Sequence, residues 1–202
     1  EVLKPGITER ELLAAIDQKL IERGAQDIFH LIQSEPGDLM PFMPKDRPIQ
    51  KGESVILNNE LSGPSGYWSQ MVRTLFVGEP TGGTGKMYDE LLEMVRQLPA
   101  RLVPGTRVCE ITQWLKDAAA ANGYILGVGL GHCVGLDIVE RPIVNLAEDV
   151  TLRAGMTIVI HPQIISEDKI ETVWYADMYL IREDGPAEVL TTYPPKKLKL
   201  RA

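Results

Sequence analysis

The apolar positions along the chain change their period several times, and each change marks an element. From Thr8 the run TERELLAAIDQKLIERG spaces Leu12, Leu13, Ile16 and Leu20 as on one side of a helix and stops at Gly24. Thr8 followed three residues later by Glu11 is a capping box, in which each side chain satisfies a backbone amide of the first turn. Residues 106–121 repeat the design. Thr106 is the expected N-cap, Ile111, Leu115, Ala118 and Ala119 share one side, and Asn122-Gly123 is the stop. A further helix is predicted over 84–98.

Elsewhere the pattern is that of strands: 53–60, 66–78, 156–165 and 176–183 are rich in β-branched and aromatic residues and are punctuated by Gly, Pro and Ser. The first two, joined by LSGPS, read as a hairpin. Alternation puts Val55, Leu57 and Asn59 on one face of its first strand, and Gln70, Val72 and Thr74 on one face of its second. Two amides, Asn59 and Gln70, therefore interrupt apolar faces.

The two capped helices belong to a longer internal repeat. Pro5-Gly6 recurs as Pro104-Gly105 and Gly24 as Gly123, both 99 positions on, with Glu11 matching Glu110 and Leu12 matching Ile111. The likeness continues into strands, where Arg47-Pro48-Ile49 recurs as Arg141-Pro142-Ile143 and IQKGESVILNN (49–59) resembles LRAGMTIVIHP (152–162). Two halves of about one hundred residues, each a helix followed by strands, are expected, with a site where they meet.

Composition narrows the function classes. The 202 residues are 44% hydrophobic with a net charge of −7 and a pI near 5.1, which disfavours a nucleic-acid binder because phosphate affinity requires clustered Lys and Arg. The terminal KKLKLR is read as a solvated end. No apolar run approaches the 18 or so residues of a membrane span, and two cysteines, Cys109 and Cys133, make no disulfide framework, so a cytoplasmic setting is expected. The abrupt opening on EVLKPG predicts that 1–202 is one catalytic-type domain at the C-terminal end of a longer chain.

With GHCVGLDIVERP, RPIQKGESVILNN, SGYWSQMVRTLFVGEP and EDGPAEVLT all in order, the chain resembles the creatinase, prolidase, aminopeptidase P and methionine aminopeptidase family. The resemblance implies an α+β pita-bread fold: a curved antiparallel sheet flanked by helices, with pseudo-twofold halves and the site at their junction. It also implies homodimerisation and a small-molecule or short peptide substrate. Peptidases of the family hold two divalent metals with two Asp, one His and two Glu, assisted by two further histidines. Matched to those motifs, the two Asp positions read Asn59 and Gln70, the glycine-framed histidine is His132, and the following His-Glu reads Val139-Glu140. The Glu-Pro reads His161-Pro162, the last Glu reads Ala176 followed by Asp177, and the early histidine falls at or near Pro41. Of these seven positions His132 alone keeps its residue.

Four carboxylates balance two divalent cations, and hard or borderline ions take anionic oxygen at about 2.0–2.2 Å. Neutral amides at 59 and 70 do not supply it, so neither a metal nor any other cofactor is expected. The leading expectation is a metal-independent hydrolase of a small carbon–nitrogen substrate, with His132 and His161 as general base or acid. In that reading Asn59, Gln70, Glu140 and Asp177 bind the substrate; the amides orient its carboxylate or amide group and Glu140 steers an imidazole. A creatinase as such is disfavoured, because its histidine is missing near Pro41. A catalytically inactive homologue that binds a peptide or protein partner is the alternative. A single-metal peptidase using His132 and His161 with Asp177 or Glu60 is the second alternative. Cys133, adjacent to His132 on one strand, should point to the opposite face and be inert.

Overall fold

In the computed structural model, which describes residues 2–200, the capping box opens the first helix as its sequence demands. Helix α1 (Glu9–Glu22) begins where Glu11 accepts from the Thr8 amide at 2.9 Å and the Thr8 hydroxyl accepts from the Glu11 amide at 3.2 Å. Strands β1 (Ile28–Gln33), β2 (Ser54–Ser62) and β3 (Trp68–Val77) follow, then helices α2 (Thr84–Arg96), α3 (Leu98–Arg101) and α4 (Val108–Ala121). The N-cap of α4 is Arg107 rather than Thr106. Its amide donates to Glu110 at 3.3 Å, whereas the Thr106 carbonyl accepts from Leu152. Short strands complete the second half: β4 (Tyr124–Leu126), β5 (Gly131–Cys133), β6 (Glu140–Ile143), β7 (Thr157–Ile160), β8 (Gln163–Ser166), β9 (Thr172–Trp174), β10 (Asp177–Leu180) and β11 (Glu188–Val189). The stretch predicted as one strand over 156–165 breaks at His161-Pro162, where proline offers no amide to a ladder.

The strands form three sheets, ordered β1-β2-β3-β12, β11-β10-β7-β5-β6 and β4-β8-β9. In the first, β12 (Leu198–Leu200) pairs with β3 in parallel, with Leu198 opposite Leu75. The basic tail is thus not a free end. Its leucines join a sheet and Lys197 reaches Asp89 at 2.5 Å, while Arg201 and Ala202 lie outside the described residues.

The internal repeat is visible as matched backbone bonds. Gly6 donates to Ile49 at 2.8 Å as Gly105 donates to Leu152 at 3.0 Å, and Gly52 donates to Val77 at 2.7 Å as Gly155 donates to Ile181 at 2.9 Å. Gly6 and Gly105 have φ of 91° and 95°, a left-handed turn that glycine adopts without a Cβ penalty. Each half packs its own core. Leu12, Leu13, Ile32, Val55 and Leu57 gather under α1, while Leu91, Leu115, Ile158, Tyr175 and Tyr179 gather in the second half. Between the halves lies a third cluster of Ile56, Val72, Val159, Trp174 and Ala176.

Candidate functional site

The halves are joined through β3 and the segment entering β10. Val72 and Ala176 exchange backbone bonds of 3.4 and 3.0 Å, and the Thr74 hydroxyl both donates to the Trp174 carbonyl and accepts from the Trp174 amide at 2.9 Å. Side chains on this inner face converge on a cleft of about 550 Å³ lined by Asn58, Glu60, Gln70, His132, His161 and Trp174, with Phe29, Leu31, Ile138 and Val139 forming its apolar walls.

Hairpin register decides which amides reach it. Ser62 lies opposite Trp68, so Glu60 faces Gln70, Asn58 faces Val72 and Asn59 faces Met71. Residues directly opposite share a face, so Asn58, Glu60 and Gln70 point inward together. Asn59 points the other way, toward Ile16, Leu20 and Leu61, and does not join Gln70 at the cleft as expected. The inward trio is hydrogen-bonded. Asn58 Nδ2 donates to Glu60 Oε1 at 2.7 Å, and Gln70 Nε2 donates to Asn58 Oδ1 at 3.1 Å and Glu60 Oε1 at 3.2 Å. Burial pushes the Glu60 carboxyl up, against the lowering effect of the Asn58 bond. Glu60 carries a sequence signal of its own, as an acid within an apolar strand on the same face as a buried amide.

The histidines come from the second half. His132 on β5 lies opposite Val159 on β7, and His161, two residues after Val159, shares its face; the two rings stand 5.5 Å apart at 66°. Gly131 makes this possible. At φ 145°, a Cβ there would lie 2.2 Å from the Val159 carbonyl oxygen, so only glycine lets β5 approach β7 this closely. His132 Nδ1 is 2.9 Å from the Cys133 carbonyl, which fixes the proton on Nδ1 and leaves Nε2 as an acceptor. Burial pushes the His132 pKa down, partly offset by that bond. His161, enclosed beside His132 and Trp174, is pushed down to about 3, first by burial and then by the neighbouring imidazole. Both rings are therefore uncharged at neutral pH.

Two residues expected at the site are engaged elsewhere. Asp177 is turned from the cleft by strand alternation and receives Arg73 Nη2 at 2.7 Å and the Tyr175 hydroxyl, while Arg73 Nη1 donates to the Val72 and Ala176 carbonyls at 2.8 and 2.5 Å. Glu140 does not steer an imidazole. It lies opposite Cys133, and its carboxylate accepts from the Asp137 amide at 3.0 Å, closing the loop beyond β5. Cys133 faces the main core, where burial pushes its thiol up to about 11, a poor nucleophile.

This geometry has close counterparts. The profile of metallopeptidase family M24 matches residues 1–183. The chain belongs to that family. A Xaa-Pro dipeptidase of Pyrococcus horikoshii is 28% identical over 197 residues, covering 95% of this chain and 56% of the relative. Prolidase from Pyrococcus furiosus superposes with a TM-score of 0.85 at 29% identity, covering 95% of this chain and 57% of its own. A Xaa-Pro dipeptidase from Bacillus anthracis superposes at 0.89 and 26%, covering 98% and 56%. The fold is thus the α+β pita-bread fold of M24, and the chain spans about half the length of the curated relatives it matches.

The donor set does not fit the two divalent ions that the family resemblance implied. The inner face offers one carboxyl, Glu60, with two amides that both donate to one of its oxygens, in place of the four carboxylates that balance two divalent ions. Ala176 stands in the apolar cluster with no ligand to offer. Among the described residues no group of three or more His, Cys, Asp or Glu is placed to hold a metal ion, and Asp177, committed to Arg73, does not complete a site with His132 and His161.

Proposed function

We propose that this domain binds a small substrate containing a carbon–nitrogen bond between its halves and hydrolyses it without a bound metal, with His132 as the base. The observation that carries this reading is the His132 imidazole. It is neutral, oriented by the Cys133 carbonyl, and borders the cleft with Nε2 free of any hydrogen bond from the described chain. Water attacking the carbonyl carbon gives its proton to Nε2, and the same proton passes to the departing nitrogen as the C–N bond breaks, yielding an acid and an amine. Relatives named Xaa-Pro dipeptidase make a short peptide the first substrate class to try.

The test is turnover by chelator-treated protein of measured metal content on a panel of small amides and Xaa-Pro dipeptides. Activity well below one metal per chain, reduced about 10²- to 10⁴-fold in His132→Ala, is expected. Activity that tracks stoichiometric metal overturns the proposal. No turnover on any panel member supports a second reading, a binding homologue without catalysis. That reading is favoured by the way Trp174 closes on the site. Trp174 Nε1 donates to the His161 carbonyl at 2.5 Å.

A further inference from the structure

Glu60 is the buried acid that the hydrolytic scheme leaves unused. One of its oxygens takes both amide donors, from Asn58 and Gln70, and the other takes no hydrogen bond from the described chain. No Lys, Arg or His lies within ion-pair distance of it among the described residues, although the residue is only 6% exposed. A buried carboxylate held by neutral groups alone remains short of compensating charge. Beside it Gln70, 5% exposed, has its Oε1 buried without a partner. Across the cleft His132 presents a lone pair at Nε2. The Gln70 side-chain donors are both spent within the trio, and the Trp174 indole N–H is spent on the His161 carbonyl. What the cleft offers an incoming group is therefore dominated by acceptors, one of them a carboxyl that an adjacent cation would hold ionised.

The walls complete the description. Phe29 and Val139, 42% and 51% exposed, stand with Leu31, Ile138 and Trp174 around the polar floor. We infer that the cleft takes an organic cation bearing N–H donors, an ammonium or amidinium-type head set against Glu60 and Gln70, with an apolar substituent of aromatic size lying along Phe29, Leu31 and Val139. The position that a divalent metal would neutralise is neutralised instead by the ligand's own charge. A carboxylate head at this position meets Glu60, Gln70 Oε1 and the imidazole lone pair and is rejected. For a peptide this orientation places its amino end on the floor and its carboxyl end at the mouth.

This inference rests on the site of the proposed hydrolysis but not on turnover, and the experiment separates the two. Binding of benzamidine, benzamide and benzoate to the full 202-residue chain is measured by calorimetry, with no catalytic readout. Benzamidine is expected to bind at least about tenfold more tightly than benzamide, with no binding of benzoate. Glu60→Gln should erase the preference for the cation, and Glu140→Gln, whose carboxylate lies on the loop, should keep it. Should Glu60→Gln fail to fold, Val139→Lys, an exposed position on the wall, is expected to weaken benzamidine binding several-fold by placing like charge at the mouth. Equal binding of the three ligands, a preference for benzoate, absence of binding by all three, or a preference surviving Glu60→Gln overturns the inference. Cation selectivity without turnover on the amide panel would sink the hydrolase reading alone.

Discussion

His161 keeps its imidazole uncharged in the fold, with a pKa near 3 against an ordinary value of 6.5. Between those values the unfolded chain binds a proton that the folded chain refuses. Its contribution to stability is therefore complete above pH 6.5 and is lost as pH falls toward 3. The slope for one such group approaches ~1.4 kcal/mol per pH unit. Urea unfolding at pH 7 and pH 5 should show the wild-type chain losing about 2 kcal/mol more than His161→Gln, which has no proton to bind. Equal losses in the two proteins would mean that His161 titrates normally. At this scale the sequence was legible where a residue's face could be counted within one strand. Asp177, expected to bind the substrate, follows Ala176, and strand alternation turns it from the cleft toward Arg73. Asn59 was misplaced because the register across the turn, which decides whether it shares a face with Gln70, is not set within one strand. With a side-chain period of two, one residue of slip moves an amide from the inner face to the outer, and Asn58 takes the place.

Among the elements, β5 and the β2–β3 hairpin fix the site's geometry, and they were legible to different degrees. The glycine-framed His132 was legible as a motif, while the reason for its glycine, that Gly131 lies against the Val159 carbonyl, shows only in the fold. Gly131→Ala should cost about 3 kcal/mol or more, because the obstructing atom is backbone and cannot swing aside. Gly105→Ala, where the added Cβ meets nothing within 4 Å, should cost about 1–2 kcal/mol for its left-handed φ alone. Thermal melts of the two variants give the comparison, with an expected gap of at least several degrees. The capping box at Thr8 could be read to the residue. The cap of α4 slipped from Thr106 to Arg107 because Glu110, three residues on, selects the N-cap amide it accepts from.

For the molecule as a whole, the duplication was legible because its turns need glycine at matched places, but what fastens the halves together was not. Arg73 and Asp177 stand 104 positions apart, and no local pattern pairs them. Arg73 lies 4.1 Å from the centre of the Tyr175 ring, and its Nη2 also holds the Tyr193 carbonyl at 2.9 Å. Arg73→Met leaves a buried aspartate uncompensated and should cost about 3–5 kcal/mol, while Arg73→Met with Asp177→Leu should recover most of that loss. Denaturant midpoints of the single and double variants measure it, and a double variant no more stable than the single would show that the guanidinium acts mainly through the carbonyls it holds.

The seam between the halves has a mechanical consequence. Glu60 and Gln70 ride on one half and His132 and His161 on the other, while backbone bonds join them at Val72–Ala176 and Trp68–Gly135 and the Thr74 hydroxyl bridges to Trp174. The width of the cleft thus depends on how the two halves meet and on the loop that carries Ile138 and Val139. Arg73 crosses that joint behind the floor, tying the Val72 and Ala176 carbonyls and Asp177 into one buried knot.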